Sequence, residues 1–82
     1  MSNMLLRLLR QAGIVKGQVL TFRNPRVAAV AAMNNGRAVV SVPDTPICGT
    51  HWLMEPEDAQ RMQELKGYKI EVPPPEAPAA GN

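Results

Sequence analysis

VAAVAAMNNGRAVVSV, residues 27–42, consists of two apolar runs separated by Asn34-Asn35-Gly36. Asn and Gly tolerate φ > 0 best, so Asn35-Gly36 predicts a two-residue type I′ turn joining strands 27–33 and 37–42 in a hairpin. Counting outward from that turn pairs Met33 with Ala38, Ala31 with Val40, and Ala29 with Val42. That face is wholly apolar. The other face pairs Asn34 with Arg37, Ala32 with Val39, and Val30 with Ser41. A hairpin with one solvated side alternates cleanly between apolar and polar positions. Here Val30, Ala32 and Val39 need cover on the second side, from an N-terminal helix or from a neighbouring subunit. An alanine-rich helix from Pro25 to Met33, with Pro25 in its first turn, is the competing local assignment. The strand is taken because the Asn-Gly turn and the valines agree with it.

The flanking segments build around that ribbon. Residues 14–22 read as a strand on their β-branched and aromatic content, with Gly17 marking a bulge or break. Arg23-Asn24-Pro25-Arg26 reads as a turn. Ser2 caps a helix running to about Ala12, and Gly13 stops it. On its wheel Met4, Leu5, Leu8, Leu9 and Ala12 share one face, while Asn3, Arg7, Arg10 and Gln11 share the other. Downstream, Pro43 and Pro46 close the sheet. Glu55-Pro56-Glu57-Asp58 opens a helix with acids at its positive end, Ala59, Met62 and Leu65 give it an apolar stripe, and Gly67 ends it. Residues 68–72 alternate as a short strand, with Tyr68, Ile70 and Val72 on one side and Lys69 and Glu71 on the other. The expected fold class is α+β: a small hairpin-based sheet with an N-terminal amphipathic helix and a short second helix. Residues 1–72 make the domain. Residues 73–82, PPPEAPAAGN, are expected to be an extended or disordered tail.

An 82-residue chain with three aromatic residues (Phe22, Trp52 and Tyr68) has a thin core. At this size assembly with partners is a common source of extra stability. Arg7 and Arg10 interrupt the N-terminal leucines, so neither a secretory core nor a membrane span is expected, and membrane binding is set aside. The net charge of +2 is unevenly spread: residues 1–43 carry six basic residues and no acid, and residues 44–82 carry seven acids against three bases. Without a basic run, that asymmetry reads as attraction between halves of one fold or between copies.

No catalytic, cofactor or metal site is expected. Cys48 and His51, spaced Cys-x-x-His, are the single cysteine and histidine, too few for a structural zinc site. As a nucleophile–base pair they lack an orienting group and a glycine-rich oxyanion loop. The candidate residues are instead partner-binding: Leu5, Leu8 and Leu9 on the first helix, Val30 and Val39 on the ribbon, Trp52 as an aromatic anchor, and Pro73, Pro74 and Pro75 in the tail.

Residues 50–72, THWLMEPEDAQRMQELKGYKIEV, carry Trp52, Pro56, Glu57, Leu65, Tyr68, Ile70 and Val72 in an order that resembles small accessory proteins of tailed-phage structural gene clusters. In that pattern an aromatic or apolar residue precedes an acidic-capped helix and a terse strand. The resemblance implies a virion accessory role, of the minor capsid or decoration type, and transfers no functional residue. The two-sided hairpin, the leucine-rich helix and the proline-rich tail give the expectation of a non-enzymatic assembly subunit. Its partner is protein, either itself in a homo-oligomer or a capsid-like shell, with no small-molecule substrate. It would be found in the virion if phage-encoded and in the cytoplasm otherwise. The alternative is a small regulator binding a host protein or nucleic acid through Arg23, Arg26 and Arg37.

Overall fold

In the computed structural model, which describes residues 4–45 and 49–74, Pro25–Asn35 is a helix rather than the first arm of a hairpin. The elements in chain order are α1 (Met4–Gln11), β1 (Leu20–Phe22), α2 (Pro25–Asn35), β2 (Ala38–Ser41), β3 (His51–Met54), α3 (Pro56–Lys66) and β4 (Lys69–Val72). The α+β class stands, and the hairpin moves. It joins β2 to β3 through residues 42–50, with Val39 opposite Leu53 and Val40 opposite Trp52.

Both ends of α2 explain the reassignment. Asn24 sits in an extended conformation, and its side-chain oxygen accepts from the Arg26 N–H at 2.8 Å and the Val27 N–H at 3.4 Å, with Pro25 at the first helical position. That is an N-cap followed by the one residue whose missing N–H costs nothing there. At the other end Gly36 adopts φ 64°, ψ 32°, and the Arg37 N–H bonds to the Ala32 carbonyl at 3.0 Å. This is a Schellman C-cap. The Asn35-Gly36 signal for positive φ holds at Gly36, but none of the described residues other than glycine has positive φ. A type I′ turn needs two such residues, so the pair ends a helix instead.

The strand order is β1-β3-β2-β4, every neighbour antiparallel. Two crossovers are interleaved: β1-α2-β2 straddles β3, and β3-α3-β4 straddles β2. The two start on oppositely directed strands and move the same way across the sheet. A right-handed crossover therefore puts their helices on opposite faces. Packing follows that rule. Ala28 and Ala32 of α2 bury against Val39 and Leu53 on one face. Ala59 and Met62 of α3 share the other with Ala38, Val40, Val42, Trp52 and Met54. Leu9 of α1 joins this second cluster with Ile14 and Val15.

Residues 14–22 are a strand only at Leu20–Phe22; Ile14 and Val15 are buried outside any strand. The reason is Asp58. Its buried carboxylate accepts from the Lys16 N–H at 3.2 Å and the Gly17 N–H at 2.9 Å and pairs with Arg61, whose Nε donates to the Ile14 carbonyl at 2.8 Å. The segment spends its hydrogen bonds on α3 rather than on a ladder. Gly17 marks the closeness of that approach, since a Cβ there would lie 2.8 Å from Glu55 Cγ. On β4 the expected alternation fails at one step. Val39 opposes Val72 and Val40 opposes Ile70, so a bulge puts Ile70 with the α3-side core and Val72 with the α2-side core.

Candidate functional site

With both sheet faces covered by helices, the large apolar side chains left exposed lie on the helices, with Leu20 of β1 the exception. On α2 the inner side is alanine and the outer side carries Val27, Val30 and Met33, which are 50%, 58% and 72% exposed. Their spacing of three places them on one side of the helix. Arg26 and Asn34, one turn either side of Val30, flank them along a shallow apolar groove that Ala31 also lines. On the other side of the sheet α1 turns Leu9 inward, with Leu5 and Leu6 partly buried, and leaves Met4 and Leu8 exposed by 60% and 54%. Leu65, expected in the apolar stripe of α3, is also exposed. The protomer thus shows apolar side chains on two opposite sides.

The sequence-derived candidates divide accordingly. Val30 and Leu8 are exposed and Leu5 is partly covered. Leu9, Val39 and Trp52 are buried in the protomer, which removes them as contact residues. Val39 faces α2, so its cover comes from a helix the hairpin reading had turned into a strand. Trp52 is fully buried, and its Nε1–H donates to the Thr45 hydroxyl at 3.1 Å and the Gly49 carbonyl at 3.2 Å. It pins the loop between β2 and β3 to the core. Pro73 is exposed and Pro74 half-buried; Pro75 lies outside the described residues. Val27 and Met33 were missed because a strand at 27–33 splits them from the helical row they form.

Polar clusters have structural work. His51 is on β3, and its Nδ1 lies 2.6 Å from Glu71 Oε1 on β4. The pair reaches across β2 and ties the edge strand to the middle of the sheet. Cys48, its supposed companion, lies outside the described residues. Arg37 pairs with Glu55 at 3.2 Å, and Arg10 donates to the Gly17 carbonyl at 2.9 Å. The Tyr68 hydroxyl donates to Asp44 at 2.9 Å, and burial, then that bond and charge, push its pKa up from 10.0. Among the described residues no group of three or more His, Cys, Asp or Glu is placed to hold a metal ion, and no helix is long and apolar enough to cross a membrane.

No protein-family model matches the chain, and no curated protein or solved structure matches it either.

Proposed function

We propose that this chain is a non-catalytic assembly subunit that binds protein surfaces through apolar helix faces. The observation that carries the reading is the outer side of α2, where Val27, Val30 and Met33 stay exposed although the sheet beneath is already covered. Exposed apolar residues scattered singly are ordinary, whereas the largest contiguous apolar patch on a monomer is often its functional surface. The second exposed pair, Met4 and Leu8, lies on the opposite side of the sheet. A subunit with two such sides suits a position between neighbours.

The virion setting rests on the resemblance of residues 50–72, which fold as β3-α3-β4: a strand with Trp52, a helix with Glu57 and Asp58 in its first turn, and a short strand. In that setting the chain is a minor capsid or decoration subunit on a capsid-like shell. The nucleic-acid alternative has thinner support, because Arg37, one of the three arginines it would use, is engaged by Glu55.

The test is co-sedimentation of the purified chain with capsid shells encoded by the same genome. Saturable binding, lost in a Leu8→Asp/Val30→Asp variant that keeps its circular dichroism, is the expected result. Absence of binding at excess chain, or binding that the variant retains, overturns the reading.

A further inference from the structure

We draw no further inference here: the strongest candidate, the exposed apolar patch that Val27, Val30 and Met33 form on the outer side of α2, carries nothing further, because nothing in the structure shows what covers it.

Discussion

Replacing Asp58 by alanine should remove much of the protomer's stability. Asp58 is 2% exposed and holds three groups at once: the N–H groups of Lys16 and Gly17, and the guanidinium of Arg61. Hydrogen bonds to a charged group each contribute about 1.5–3 kcal/mol net, but these share one carboxylate and do not add in full. Taking one partner out of a fully buried pair costs about 3–5 kcal/mol; Arg61 is 30% exposed, so that range is an upper bound for this cluster. A domain of this length is stable by roughly 4–12 kcal/mol, so a loss in that range is a quarter or more of the total. Urea unfolding followed by Trp52 fluorescence reads it directly, since Trp52 is the single tryptophan and fully buried. Asp58→Asn, which keeps the shape and one acceptor, should cost less than Asp58→Ala. Arg61→Ala, tested alone and combined with Asp58→Ala, should be strongly non-additive, by about 1 kcal/mol or more. Hydrogen exchange adds a local signature, because the amides of Lys16 and Gly17 should lose protection in Asp58→Ala before the amides of β2 and β3 do. An Asp58→Ala protein within about 1 kcal/mol of wild type, with those amides still protected, would refute the role assigned to this carboxylate.

Two further outcomes follow from the same structure. Tyr68, the single tyrosine, should ionise above 10.0, and Asp44→Asn should move its midpoint back only in part, because burial is the larger cause. Its raised folded-state value means that its contribution to stability is complete below pH 10 and fades as pH rises beyond it, which phenolate absorbance and melting at high pH measure together. Val30→Ala should leave the dilute protomer within about 0.5 kcal/mol of wild type or slightly more stable, since alanine is the better helix former. Val39→Ala, beneath α2, should cost about 1.5–3 kcal/mol in the same urea titration. Equal costs for the two would mean that Val30 is held inside the protomer.

Helix ends and the acidic start of α3 could be read from the chain because each depends on a few adjacent residues. Gly13 and Gly67 adopt positive φ just after the last turns of α1 and α3, and Pro56 opens α3 at its first helical position. Residues 25–35 were ambiguous for a physical reason. Asn-Gly serves both a type I′ turn and a left-handed helix stop, and an alanine–valine run fits a strand face or a helix side equally well. The arbiter was Asn24-Pro25, an N-cap and first-turn pair eleven residues before Gly36. The fate of residues 14–19 could not be read locally, because it depends on Asp58, more than forty residues away. The same limit applies to Glu71, whose bulge and bond to His51 arise only once β4 lies beside β2.

Helices α2 and α3 are equally long and cover opposite faces of one sheet, yet they meet solvent differently. The outer side of α3 carries Glu57, Gln60 and Glu64, all exposed, with Leu65 its one large exposed apolar residue. On α2 the logic is inverted. Alanines 28 and 32 occupy the buried side, where their small size lets the helix approach Val39 and Leu53 closely. The bulk sits outside, in Val27, Val30 and Met33. A β-branched residue in a helix costs about 0.5 kcal/mol relative to alanine, and half-exposed valines recover only part of that by burial. Folding of the protomer therefore accounts for the inner side of α2 and only in part for the outer one. A contact that buries those three side chains would supply the rest.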